Sequence, residues 1–304
     1  MKRKLIKQGG GGLTFYVPKK WTESNELRAG DEIDITDVED NLIISRGVKI
    51  KKKSSKIIVK KDSEQLIRIR LNALYRMGFD KITVLFKTKK QAKIVKEVIE
   101  KKFIGFEVVE EKGDLLVAEN VTEPSGEKQK ALLRRMFFIV DESFKLLEED
   151  LKNGTTGNKE NIIQLNLRIN KYSNFCRRNI SKKRFTEKKI NYYWELYYKI
   201  LLTQHSVQHL YEMLGNKKII ISNKTKNLVK ELIQHYKDIQ SSFYKEDLDN
   251  LLEANDNLKN LLYNKVLKEI RKSSKEESVI LYYLGDMSRL SYLTTIPLIA
   301  ILLE

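Results

Sequence analysis

The chain has 304 residues, a net charge of +17 at pH 7 and 41% hydrophobic residues, enough for two or three domains with packed cores. Its one cysteine, Cys176, excludes an internal disulfide and points to a reducing compartment. The basic balance permits a polyanionic partner without naming one.

Residues 3–45 come first. A basic strand is expected over 3–7, then a glycine block at 9–12, then a strand over 13–17 ended by Pro18. Lys19, Lys20 and Trp21 open a helical turn reaching about Leu27. Ala29, Gly30 and Asp31 turn the chain into a strand over 32–35, and Asp40 and Asn41 turn it again into a strand over 42–45. Residues 1–20 hold six Lys/Arg and no acid, while the acids of this stretch begin at Glu23 and crowd 31–40. One end is cationic and the other anionic, a pattern suited to a phosphate backbone at one end only.

Residues 47–55 read as a basic linker, whose Lys49, Lys51, Lys52 and Lys53 could add backbone contacts. Residues 56–123 read as a small α/β unit. Its strands are expected over 57–59 and 81–86, with helices over 64–77 and 89–102. A hairpin of strands 106–110 and 115–119 closes it, and Gly78 stops the first helix. From about Glu127 onward the pattern is helical, with apolar residues three and four apart, as in Leu132, Met136, Val140, Phe144 and Leu147. Six helices are expected, over 128–151, 158–179, 186–214, 225–244, 245–273 and 275–302, and two sets of three suggest a repeated bundle. The fold class is therefore α+β and multidomain.

The longest apolar run, 290–303, contains Ser291, Thr294, Thr295 and Pro297. It is shorter than the roughly 20 residues of a spanning helix, so a buried C-terminal helix is expected rather than membrane insertion. After Met1, Lys2, Arg3 and Lys4 the apolar run is too short for a secretory leader, and a cytoplasmic location is expected.

The order of parts in residues 2–46 resembles the AbrB/SpoVT swapped-hairpin DNA-binding domain. The likeness rests on the basic first strand, the glycine block, Val17-Pro18-Lys19-Lys20, the turn at Gly30-Asp31 and the closing strand at 41–44. The resemblance implies a homodimer with interleaved hairpins and a DNA-facing surface at Arg3, Lys4, Lys7, Lys19 and Lys20. The helical half, 124–304, resembles the PhoU regulators of phosphate uptake, built as two three-helix repeats. The combined order resembles archaeal-type fused PhoU regulators. It is carried also by Tyr75, Gly78 and Asp80, by Arg134 and Arg135, by Ala254 and Asn255, and by Arg289 and Tyr292. The expected function is a DNA-binding regulator of phosphate homeostasis. The alternatives are an adaptor that contacts a phosphate transporter or sensor kinase and, against the long helical half, an AbrB-type antitoxin.

PhoU relatives carry acidic i, i+4 pairs that ligate metal clusters. Here those positions fall on Asn170, Gln204, Thr295 and Leu298, so no metal cofactor is expected. His205 and His209, four apart, remain as candidate ligands, with Glu212 a turn beyond. Cys176 beside Arg177 and Arg178 is read as a packed thiol. A second basic run (Lys171, Arg177, Arg178, Lys182, Lys183, Arg184, Lys188, Lys189) is either a solvated helix end or a second anion surface. No nucleophile–base pair, carboxylate dyad or cofactor loop stands out, so an enzyme is not expected.

Overall fold

A computed structural model describes residues 3–38, 41–46, 52–122, 128–182, 189–215, 218–273 and 275–303. By contacts the chain divides into two units, Met1–Lys52 and Lys53–Glu304. The architecture is α+β, predominantly helical, with small sheets.

The N-terminal unit holds two hairpins and a short helix. Strands β1 (Ile6–Gln8) and β2 (Gly12–Thr14) pair antiparallel, and β3 (Ile33–Val38) pairs antiparallel with β4 (Asn41–Arg46). The glycine block makes the first hairpin possible, because Gly9 (φ 63°) and Gly11 (φ 111°) occupy backbone space that a Cβ disfavours. Helix α1 (Lys19–Ser24) starts after Pro18, whose fixed φ suits a helix entry. The first hairpin is shorter than the sequence pattern suggests and the second is longer.

In the second unit, strand β5 (Ser54–Ile58) begins inside the expected linker and lies parallel to β6 (Lys81–Leu85). Helix α2 (Glu64–Arg76) connects them; helix α3 (Lys89–Lys102) follows β6. The hairpin of β7 (Phe106–Lys112) and β8 (Leu115–Asn120) completes a four-stranded sheet of order β5-β6-β8-β7. Ser63 and Thr88 cap the two helices by accepting hydrogen bonds from the amides of Leu66 and Gln91. Ile82 and Val84 are buried while their neighbours on β6 are half-buried, so one sheet face carries the core, with Leu71, Tyr75, Val95 and Ile99 from the helices. The Tyr75 ring stacks on Phe103 at 4.2 Å.

The helical part runs α4 (Lys128–Asn153), α5 (Lys159–Ser181), α6 (Ile190–Leu214), α7 (Asn223–Lys245), α8 (Leu248–Asn260), a π-helical segment (Leu261–Val266), α9 (Leu267–Ile270) and α10 (Lys275–Leu302). Leu132, Met136, Val140, Phe144 and Leu147 are all buried in one core, as their spacing requires. Helices α4, α5 and α6 pack on one another, as do α7, α8 and α10, and α6 lies along α10. The fifth expected helix runs over 248–270 and contains a π turn. Glu246 adopts a left-handed conformation (φ 57°) that ends α7, Asp247 caps the start of the next helix, and the π segment lies within that helical run. Leu262 and Val266 of that segment reach α10 at Gly285, where a Cβ would stand 3.3 and 3.4 Å from them. Among the described residues no helix is long and apolar enough to cross a membrane.

Helix α5 also packs across α2 and α3, so the sheet unit and the bundle share an interface. Its centre is ionic. Arg178, 2% exposed, donates to the carbonyls of Tyr75 (3.1 Å) and Phe79 (2.6 Å) and to Asp80 Oδ1 (2.8 Å). Lys182 Nζ joins the same Asp80 oxygen at 2.5 Å, and Asp80 Oδ2 accepts from the amide of Lys53 at 3.1 Å. Burial pushes the Asp80 carboxyl up, but the Lys182 and Lys53 hydrogen bonds and the charges of Lys182 and Arg178 outweigh it and hold the carboxyl below its ordinary range.

Candidate nucleic-acid interface

The five residues expected to face DNA are all exposed: Arg3 and Lys4 before β1, Lys7 within it, and Lys19 and Lys20 in the first turn of α1. The described acids nearest in sequence compete little. Glu23 pairs with Lys19 at 3.7 Å, but the two side chains are 88% and 64% exposed, so the pair is weak. Asp31 is turned back on its own loop, accepting from the amide of Arg28 at 2.7 Å. The five cations therefore remain exposed to solvent. Of the linker lysines, Lys52 and Lys53 are exposed side chains, and Lys49 and Lys51 lie outside the described residues.

The same unit has a second property. Among its described side chains none is buried. Leu5, Leu13, Tyr16, Ile35 and Leu42 are 60–76% exposed. Strands with this apolar content cannot hold a two-stranded hairpin alone in water.

Three residues of the second basic run are engaged within the fold. Arg178 and Lys182 are drawn into the Asp80 cluster. Arg177 is buried, its guanidinium over the rings of Trp194 (4.5 Å) and Tyr198 (5.1 Å), and burial with the nearby Arg76 charge lowers its pKa to about 10. Those three residues are thus unavailable to a polyanion. Lys183, Arg184 and Lys188 lie outside the described residues. Cys176 is buried, and burial raises its thiol well above the ordinary value.

His205 and His209 have ring centroids 6.2 Å apart. His205 Nε2 meets the side-chain amide of Asn170 at 3.1 Å. Burial, His209, Lys102 and Arg68 lower the His205 pKa to about 4. The ring is therefore neutral and works as a hydrogen-bond partner inside the bundle. Glu212 accepts from Gln208 at 2.6 Å. Among the described residues no three His, Cys, Asp or Glu side chains gather as metal ligands would. Of the other positions singled out from the sequence resemblance, Gln204 and Leu298 have no exposed surface. Thr295 Oγ1 accepts from Asn255 at 2.5 Å, so a neutral hydrogen bond occupies that place on α10.

Sequence reasoning missed the Asp80–Arg178 pair, whose members are 98 positions apart. It also missed a cleft lined by Arg134, Arg135 and Tyr244. Searches against protein-family models, curated proteins and solved structures find no match to this chain.

Proposed function

We propose that this chain is a dimeric, non-enzymatic DNA-binding regulator in which residues 1–46 form a swapped-hairpin module shared by two copies. The observation that carries the reading is the N-terminal unit itself. It displays Arg3, Lys4, Lys7, Lys19 and Lys20 to solvent and leaves Leu5, Leu13, Tyr16, Ile35 and Leu42 uncovered in a single copy. A second copy would cover the apolar surface and double the cationic one, giving a two-fold reader for a two-fold or pseudo-two-fold site.

In this reading the helical half relays a signal. Its three-plus-three packing agrees with a PhoU-like bundle, and the link to phosphate rests on that resemblance. Substitution of neutral residues at Asn170, Gln204, Thr295 and Leu298 separates the relay from a metal-loaded relative.

The test is titration of duplexes from the gene's own upstream region at several salt concentrations. Binding should fall steeply with salt. The quadruple alanine variant of Arg3, Lys4, Lys19 and Lys20 should lose it. Lys19→Ala or Lys20→Ala alone should weaken all duplexes evenly and reduce the salt slope by about 1, whereas Arg3→Ala should also blunt discrimination between sequences. Unchanged binding by the quadruple variant would remove the N-terminal module as the reader and leave the adaptor function.

A further inference from the structure

The first three turns of α4 are one-signed. Residues 128–140 carry four Lys/Arg and no acid. This stretch forms one wall of a cleft of about 940 Å³, with the ends of α7 and α10 and the start of α6 as the others. Arg134 and Arg135 supply the charge on that wall that the site uses. Neither Arg134 nor Arg135 has a carboxylate partner among the described residues. Two guanidiniums left without counter-ions at one concave site are a prepared place for an anion.

The cleft also presents aromatic rings, beside the aliphatic Ala131, Leu133, Ile301 and Leu302. Phe138, one turn along α4, is 53% exposed, and Tyr244 is 36% exposed. The Arg134 guanidinium lies over the Tyr244 ring, 4.8 Å from its centroid. Tyr244 is itself held by Phe243 at 5.2 Å and edge-on by Phe137 at 6.1 Å, so the stack is anchored in the core. Burial raises the Tyr244 pKa to about 12 although Arg134 opposes it, which keeps the phenol protonated. Glu246, which follows α7, stands at the cleft as a hydrogen-bond acceptor.

We propose that this cleft binds a nucleotide. The guanidiniums would take the phosphates, the Phe138 and Tyr244 faces the base, and Glu246 an amino or hydroxyl group. An inorganic oxyanion would use only the cationic wall of a space much larger than itself. A phosphate ester with a planar base uses the charge, the rings and the volume together, and lies within the ordinary size of ligand sites, roughly 300–1,000 Å³. The lining residues all belong to the second unit, and the proposal does not rest on the role given to the first.

The experiment is calorimetric titration of the full-length protein with ATP and GTP, beside adenosine, inorganic triphosphate and a single-stranded oligonucleotide. One nucleotide per chain should bind, at least about tenfold tighter than adenosine or triphosphate. Arg134→Ala with Arg135→Ala should weaken ATP by about tenfold or more. Phe138→Ala should weaken ATP about tenfold and leave the weak triphosphate binding as it was. The quadruple alanine variant of the N-terminal unit should bind ATP like the wild type. Absence of nucleotide binding, equal binding of triphosphate and ATP, or tighter binding of the oligonucleotide that the N-terminal quadruple variant keeps and the double arginine variant loses would overturn the proposal. So would ATP binding that survives the double arginine variant.

Discussion

Leu71, Tyr75, Ile82 and Leu116 of the second unit have no exposed surface, whereas Leu13, Tyr16 and Leu42 of the first keep 62–76% of theirs. The second unit contains two hydrophobic cores joined across the α5 interface, and it encloses even an arginine, because Arg178 finds three oxygen acceptors and two aromatic faces there. The first unit contains two separate hairpins and a two-turn helix with nothing buried among its described side chains. The difference is what the proposed dimer of the first unit rests on. A chain of about 50 residues split into such pieces lacks the surface-to-volume ratio for a core of its own. The remaining 250 or so do not need one from outside.

The comparison can be broken first at its most buried point. Arg178→Met removes the guanidinium and leaves Asp80 and two carbonyls without it. The expected loss is about 3–5 kcal/mol of stability in the second unit, read as a lowered urea midpoint. A loss below about 1 kcal/mol would show that the cluster is not holding the sheet unit to the bundle.

A second break uses pH. His205 titrates near 4 in the folded chain against an ordinary 6.5. The unfolded chain therefore takes up a proton first as pH falls, so stability is full above 6.5 and declines through the window down to 4. The loss is on the order of 3 kcal/mol at its limit. His205→Gln should flatten the urea midpoint across that window relative to wild type. Asp80 adds a further loss only at lower pH, since its carboxyl lies below the ordinary 3.8.

A third prediction sharpens the contrast from the other side. Leu13 is 62% exposed in one copy, so on a single-chain account Leu13→Ser changes little. If a second copy covers it, the substitution should weaken the dimer by about 1.5–3 kcal/mol, seen as a concentration-dependent dissociation in size-exclusion chromatography. The smallest effect is expected at Lys19→Ala, which loses one exposed ion pair. Its urea midpoint should correspond to a change within about 0.5 kcal/mol while its DNA affinity falls.

The helices were legible because burial repeats every three to four residues, and Leu132 through Leu147 lie where that spacing puts them. The β7–β8 hairpin was legible as a hairpin, yet its strands run on to Lys112 because Gly113 (φ 60°) allows a turn of two residues. The π turn within the fifth helix was not legible. A π segment adds one residue to a turn without changing the apolar character of Leu261, Leu262 and Val266. The basic run on α5 misled for a related reason. Charge in sequence looks the same whether it meets water or a distant carboxylate, and Asp80 comes to Arg178 only through the fold. The i, i+4 spacing of His205 and His209 was visible, but the Asn170 contact and the burial that keep His205 neutral belong to the packing of α5 on α6.

The central claim is that the first unit is completed by a second copy and the second unit is not. Sedimentation equilibrium of the full chain and of residues 53–304 tests it directly. The full chain should sediment as a dimer and the 53–304 fragment as a folded, helical monomer. A fragment that remains a tight dimer, or a full chain that is monomeric at micromolar concentration, would contradict it.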